Sequence, residues 1–539
     1  MFTEFAEAQT FLYLCTSIVA MVRRLLISLI AAIMLAGCFV WVQPEPVDPD
    51  TANPDSVDMD AIYADTTLMM MQQFIIAKAE NPQLKNDMVF EYDSLTNTFS
   101  YTTQRWIEGI DSLRPTFVAD GEVYIGDKKQ LSGVTSCDFS NRIVEFTVRD
   151  TALLTQNKCT VSIISPQTTG LPVMRIDIEG NRVVAEKDRY LPADFTIKTA
   201  DSTIAGSLEI RGRGNTTWSM RKKPYKIKLA KSAPLFGMHK ARTWVLLANF
   251  QDVTLLTNTV AFELARRMEM PFTNHGQHLE LYLNGKYEGN YLLTEQIDVH
   301  KGRVEVDTLA GGFLAEIDLN FDEEYKWTST VYKLPVMLQK PESSASLEQV
   351  KTVFTKIERL LSRANPSYER LSELVDMQSL VRYMILNELV YNIELGHPKS
   401  VYCFRRNANA PLEWGPVWDF DWAFGYTGYN YDYFHEADKL MFDISQQSGK
   451  MWGAGGEFFT RFTKMPEFCE LYRQEWQKVL PQVSTIGSYI WTQGQMLDNS
   501  WIENRKRWGS PDVMRRNSYM EMMVFVDRRT NLITESTRR

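Results

Sequence analysis

Cysteine and histidine are scarce in this chain, six of each among 539 residues. No spacing among them matches a zinc site, which argues against zinc-finger folds and zinc hydrolases. A positive charge balance is missing as well: the net charge is −9 and the isoelectric point is near 5.5. This speaks against a nucleic-acid binder and leaves room only for local basic clusters that hold phosphate. The apolar run Leu25 to Leu35 is too short to cross a bilayer. What is abundant is core material, 44% apolar and 12% aromatic residues. That composition excludes disorder and fibrous classes, and the length allows two or more domains.

The short apolar run has a different use. Met21-Val22-Arg23-Arg24 precedes it and Ala36-Gly37-Cys38 follows, the charged region, apolar core and small-residue cleavage site of an export signal. With cysteine after the cut, it resembles a bacterial lipoprotein signal in which Cys38 is acylated as the mature N-terminus. Met1 to Ala20 contains Glu4 and Glu7 and no basic residue, so Met21 reads as the true start. Residues 1–38 are thus a signal region and 39–80 a linker, whose Gln43 to Asp60 portion, with Pro44, Pro46, Pro49 and Pro54, reads as an extended tether. The expected location is the cell envelope, lipid-anchored to a bacterial membrane, with the outer membrane favoured.

Over residues 81–166, short alternating runs recur at Met88 to Tyr92, Phe117 to Ile125, Arg142 to Val148 and Thr160 to Ile164. Strands at this spacing predict a small all-β, immunoglobulin-like sandwich. Cys137 and Cys159 both fall in it, and a disulfide and two buried thiols are both open readings. Cys403 and Cys469 lie near aromatic runs and read as core.

A denser α+β region spans 170–530. Ser207 to Ile210 alternates, the loop Arg211-Gly212-Arg213-Gly214-Asn215-Thr216-Thr217-Trp218 interrupts, and Lys223 to Leu229 alternates again with Tyr225, Ile227 and Leu229 turned inward. Two glycines and two arginines in one loop, followed by Lys222, Lys223, Lys226 and Lys228, can wrap an anion; the plain alternative is a solvated basic hairpin. Asp252 can cap a helix striped by Leu256, Val260, Leu264 and Met268. A hairpin turning at Asn284-Gly285 runs into Glu295, a candidate partner for one of the lysines. Ser346 with Gln349 suggests a capping box for the next helix, and Asp376 a cap for the one ending near Tyr391. Pro466 to Leu480 and Ser484 to Arg507 read as further helices, while Tyr426 to Phe434 and Trp452 to Phe462 fit either a cleft lining or core.

Then comes Pro416-Val417-Trp418-Asp419-Phe420-Asp421-Trp422-Ala423-Phe424-Gly425, two acids inside an apolar run. Burying unpaired carboxylates is costly, so a cation must meet them. Either the stretch is a strand end paired with Arg or Lys, or it holds a divalent metal that in turn holds phosphate.

Taken in order, Arg211 to Trp218, the Lys222 to Lys228 run, Tyr287-Glu288-Gly289-Asn290-Tyr291-Leu292-Leu293-Thr294-Glu295, and Trp418-Asp419-Phe420-Asp421 to Gly425 resemble the CotH (spore coat protein H) kinase-like family. The resemblance implies an atypical protein-kinase-like fold that binds ATP with Mg²⁺ or Mn²⁺ and phosphorylates proteins. By that resemblance Arg211, Arg213 and Asn215, with Lys226 or Lys228, hold the nucleotide phosphates and Glu295 is an ion-pair partner. Asp419 is the metal ligand and Asp421 supports it. At the catalytic place the family usually carries Asn, one residue, then Asp, followed by a His and a second Asn. This chain has Asn392-Ile393-Glu394, His397, and Ser400 near the second Asn. Glu394 and His397 are therefore the catalytic candidates, although one extra methylene moves a carboxylate by roughly 1 Å. His397, beside Pro398, has the alternative of bonding a backbone carbonyl.

Two functions follow as expectations. One is metal- and ATP-dependent phosphoryl transfer to protein hydroxyls. The other is a surface binding or assembly lipoprotein that keeps the fold without the chemistry.

Overall fold

The computed structural model describes residues 63–65, 69–429, 431–449, 451–509 and 518–538. The signal region with Cys38 and the proline-rich tether lie outside the described residues. The chain divides into Met1–Ala64 and Asp65–Arg539, and every element below belongs to the second unit. Among the described residues no helix is long and apolar enough to cross a membrane.

Two sheets enclose the first core. The larger runs Glu91–Asp93, Thr98–Thr102, Thr155–Ile164, Ile143–Asp150, Glu122–Ile125, Lys128–Gln130, and the smaller Met88–Val89, Met71–Ile76, Thr116–Ala119. Phe74, Phe99, Phe139 and Phe146 fill the space between them, with Phe74 edge-on to Phe146 at 5.3 Å. Met71–Ile76 corrects the linker expectation for 39–80: Met71, Phe74 and Ile76 are almost fully buried, and Gln72-Gln73 masked that inward face by breaking the alternation. Phe117 to Ile125 is not one strand. It breaks at Asp120, whose carboxylate accepts from Met70 N at 3.1 Å, and its halves join different sheets. Cys137 and Cys159 are free buried thiols, pushed up to about 11 and about 12 by burial, which keeps them unreactive.

Seven strands then close a barrel: β1 (Val173–Ile178), β2 (Leu191–Lys198), β3 (Thr203–Gly212), β4 (Tyr225–Ala233), β5 (Ala241–Leu247), β6 (Gly276–Leu283) and β7 (Lys286–Glu295). The order is β1-β2-β3-β4-β5-β7-β6, and the parallel pairing of β1 with β6 makes the closure. Alternation works as the sequence suggests, with Tyr225, Ile227 and Leu229 buried inside the barrel. Lys222 is the exception. Its fully buried ammonium donates to Ala248 O at 2.7 Å, to Asn290 O and to Asn504 Oδ1 at 2.8 Å, tying the barrel to the C-terminal helices.

A second sheet follows, in the order β9-β10-β8-β11-β12, from β8 (Phe313–Ile317), β9 (Lys326–Thr328), β10 (Pro335–Lys340), β11 (Val401–Arg405) and β12 (Leu412–Trp414). Around it pack α1 (Thr257–Arg267), α2 (Ser344–Leu361), α3 (Met377–Val390), α4 (Gly453–Phe462), α5 (Pro466–Val483), α6 (Ile486–Trp508) and α7 (Ser518–Arg538). Asp376 accepts from Ser379 N at 2.7 Å and makes its expected cap, whereas α1 starts later than expected: its N-cap is Leu256, without a side-chain cap bond, and Asp252 lies in the preceding loop, accepting from Thr257 N at 2.8 Å. The cap of α2 is Ser343, not Ser346, which instead donates its N–H to Ser343 Oγ at 3.2 Å. Cys403 and Cys469 are core, as expected. Trp418 to Gly425 is not a strand end; it is a loop with Asp419, Phe424 and Gly425 at φ of 62°, 56° and 68°.

One ion pair fixes α7 under this loop. Glu388 on α3 and Arg529 on α7 are both about fully buried, and the carboxylate also accepts from Met441 N at 3.1 Å and Phe442 N at 2.7 Å. Removing one partner leaves a buried charge bare, so Arg529→Met is expected to cost about 3 kcal/mol in urea unfolding. Combining it with Glu388→Gln should recover part of that loss, and equal stability of the single and double variants would refute the charge-pair account.

Candidate functional site

Between the barrel and the second sheet lies a cleft of about 410 Å³, one wall of which is basic. It is made by the loop after β3 and by β4, where Arg211 and Lys226 face each other in register. The loop needs its glycines: a Cβ on Gly212 would overlap the Trp218 ring, and Gly214 sits at φ 81°. Arg211 donates to Lys187 O and stacks over Tyr190 at 4.9 Å. Arg213 lies over Trp418 at 5.5 Å. Neither the Arg213 guanidinium nor the Lys226 ammonium has a hydrogen bond or ion pair among the described residues. Burial, then Arg211 and Arg213, bring Lys226 down to about 8.

The facing wall is acidic. Asp419 and Asp421 come from the Trp418–Gly425 loop, Glu394 from the turn after α3, and Glu316 and Asp318 from β8 and its end. The loop is held by α1: Asn258 Nδ2 donates to Asp421 Oδ1 at 2.8 Å, and Asn258 Oδ1 accepts from Phe420 N at 2.9 Å. Trp418 and Phe420 flank Phe262 of the same helix at 6.1 and 6.4 Å. Asn392 Oδ1 accepts from Glu394 N at 3.2 Å and so sets its turn. Asp318 accepts from Ser400 N at 2.9 Å.

These acids raise one another. Burial and then Asp419 push Asp421 up to about 8, and burial, Asp419, Asp421 and Asp318 hold Glu394 well above the usual carboxylate range, with Lys399 opposing. Asp419 is raised by burial and partly relieved by Arg213 and Lys399. Among the described residues no group of three or more His, Cys, Asp or Glu side chains is gathered to hold a metal alone. Two carboxylates on one loop, crowded enough to repel, nevertheless suit Mg²⁺, which uses one or two acids and completes its shell with water and phosphate oxygens. The unpartnered cations opposite suit those phosphates.

Arg211, Arg213, Asn215, Lys226, Glu394, Asp419 and Asp421 therefore meet at one cleft. Three expected residues do not. Glu295 faces away and pairs with His275, accepting from its N at 2.6 Å, so no lysine meets it. Lys228 is two residues beyond Lys226, with its ammonium 5.9 Å from the Tyr190 ring centroid, outside the cleft lining. His397 also lies off the lining; its Nδ1 is buried without a hydrogen-bond partner and its ring is stacked at 4.8 Å on Trp452. Asn215 is already engaged, accepting from Lys187 Nζ at 2.9 Å and donating to Asp322 at 3.1 Å across the cleft. Sequence reasoning missed Asn258, Lys399, Glu316 and Asp318. Glu316 and Asp318 carried a signal, two acids spaced by one in an apolar strand, the same pattern that marks Asp419 and Asp421. Asn258 carried none, because its role depends on the docking of α1.

Fold and site define an α+β protein whose cleft sets a cationic glycine loop against buried acids. A family model described as CotH kinase protein matches residues 210–533, and the chain belongs to that family. No curated protein matches it.

Lys226 gives the basic wall a pH signature. Its folded value lies below that of a free lysine, so the cation is present below about 8 and is lost as pH rises through it. Metal-free tripolyphosphate should therefore bind more weakly at pH 9 than at pH 7 by calorimetry. Lys226→Met should bind weakly at both and flatten the profile; a parallel fall in the variant would remove Lys226 as the titrating group.

Proposed function

We propose that the protein transfers a phosphoryl group from ATP to a protein hydroxyl with Mg²⁺ or Mn²⁺. The observation that carries this reading is the separation of charge across one cleft, unpartnered Arg213 and Lys226 facing Asp419 and Asp421. Arg213, Lys226 and the backbone N–H groups of the Gly212–Gly214 loop hold phosphate oxygens. Asp419 is the metal ligand and Asp421, fixed by Asn258, supports it. Bound there, the divalent ion supplies charge neutralisation between phosphate oxygens. Burial and then the neighbouring acids raise Glu394, and a cation held at Asp419 would offset the second of these, favouring the carboxylate that orients the acceptor hydroxyl and accepts its proton. Lys399 stands beside Glu394 and Asp419 and steadies both anions.

The second reading, a binding or assembly protein without transfer, is favoured by Glu394 itself. Its longer side chain stands where the family has Asp, and phosphoryl transfer depends on positioning. Around either activity the proposed organisation is an exported chain acylated at Cys38, a tether, an immunoglobulin-like sandwich, and a kinase-like domain on a bacterial membrane.

Asp419→Asn should weaken Mg²⁺-dependent ATP binding by about tenfold or more, since Asp421 alone remains on the loop. Glu394→Gln should leave that binding nearly intact and lower transfer to a general acceptor protein, while Glu394→Asp should match or exceed the parent. Nucleotide binding without transfer in all three proteins would favour the second reading, and absence of metal-dependent binding would sink the first. Separately, Cys38→Ala should release the protein from membranes, and continued acylation of that variant would end the lipoprotein proposal.

A further inference from the structure

A ladder of rings leads from the surface into the acidic end of the cleft. Trp452 is 62% exposed, and the His397 ring lies parallel on one of its faces, 4.8 Å away and 9° from coplanar. The same His397 ring is 5.7 Å from Trp422, which lines the cleft with Glu394 and Asp421, and Trp422 continues to Tyr426 at 5.6 Å. Beyond that contact Trp452 is open to solvent, whereas Trp422 already carries the Lys399 ammonium 5.2 Å from its ring centroid. A large exposed indole seated on a second ring rather than in a core is a stacking surface without an occupant.

The ladder is fixed to the Glu394 turn through backbone. Gly396, two residues past Glu394, accepts through its carbonyl from Gly455 N at 2.9 Å and Gly456 N at 3.3 Å. Side chains are excluded all along this contact: a Cβ on Gly396 would overlap Trp452 O, one on Gly453 would overlap Gly396 O, and one on Gly455 would overlap Leu395 O. Trp452 and Glu394 therefore move as one body. Burial, with Lys399 nearby, lowers His397 from its ordinary value, so the middle ring favours its neutral form.

We propose that Trp452, His397 and Trp422 form an acceptor-docking platform for an extended peptide with an aromatic or proline ring close to the hydroxyl that receives the phosphoryl group. This rests on the phosphoryl-transfer reading for its orientation and on the ring geometry for its location. The two ring steps from Trp452 to Trp422 cover no more than about 10.5 Å, roughly three residues of extended chain, so the ring is placed within about three residues of the acceptor. His397 then acts as the spacer of the platform and does not touch the reacting atoms.

The test uses the full chain and six-residue peptides with one serine, carrying alanine, phenylalanine, proline or lysine two positions after it. Transfer should be about five- to tenfold more efficient, as kcat/KM, for the phenylalanine or proline peptide than for the alanine one. Trp452→Ala should erase that ratio and Trp452→Phe should keep most of it, with Mg²⁺-dependent ATP binding as the check on folding. No ring preference in the parent, a preference that survives Trp452→Ala, or competition by an oligosaccharide but not by peptides would overturn the proposal. Calorimetric peptide binding separates the two readings: ring-selective, Trp452-dependent binding without transfer keeps the platform and refutes the kinase, whereas transfer without ring selectivity does the reverse.

Discussion

Mutual repulsion among carboxylates in a dry cleft is the constraint on which the rest of this structure turns. Asp419, Asp421, Glu394 and Asp318 come from three separate parts of the chain, and burial raises every one of them. A fold does not gather such groups for stability, since each unpaired buried charge is strongly disfavoured and most respond by staying protonated. The cost is tolerable only because the surroundings leave the groups little freedom to separate. Asn258 bonds both the side chain of Asp421 and the backbone beside it, Asn392 sets the Glu394 turn, and Ser400 N fixes Asp318.

The scaffold answers that constraint by rigidity at a distance. Two fully buried cations perform it, neither of them facing the cleft. Lys222 binds the barrel to α6, and Arg529 binds α7 to α3 directly behind the acidic loop. Both donate to carbonyl oxygens, although burial still brings Lys222 down to about 7. By contrast, the cleft cations Arg213 and Lys226 make no hydrogen bond or ion pair among the described residues, although Asp419 acts on the first and Asp298 and Glu323 on the second. Arg211 lines the same cleft but donates to Lys187 O, so being unsatisfied is a property of Arg213 and Lys226 and not of every cation there.

Much of this was legible in the sequence, and the reason is local. Alternation in Tyr225 to Leu229, the Asn284-Gly285 hairpin and the Asp376 cap depend on near neighbours, and all three appear in the structure. So did the acid pair at Asp419 and Asp421, because two charges in an apolar run violate the pattern around them. What escaped depends on tertiary docking. Glu295 looked available to a lysine, yet β7 directs it at His275; Lys228 shares an outward face with Lys226, yet the cleft ends before it. The helices α4 and α7 were missed for different reasons, glycines at the start of the one obscuring its stripe and nothing marking the entry to the other.

The glycines of α4 carry the argument one step further. Glycine at Gly453, Gly455 and Gly456 lowers helix propensity by roughly 1 kcal/mol each relative to alanine, in a helix of only ten residues. Such a loss needs a compensating contact: Gly453 and Gly455 meet the Glu394 turn backbone against backbone, closer than any side chain permits, while a Cβ on Gly456 would meet Met451 O. The helix start is therefore shaped by the turn it supports. A turn that merely reversed the chain after α3 would not require a neighbour so exact in fit. The departure from helix-forming residues thus falls at the place where the start of α4 meets the Glu394 turn.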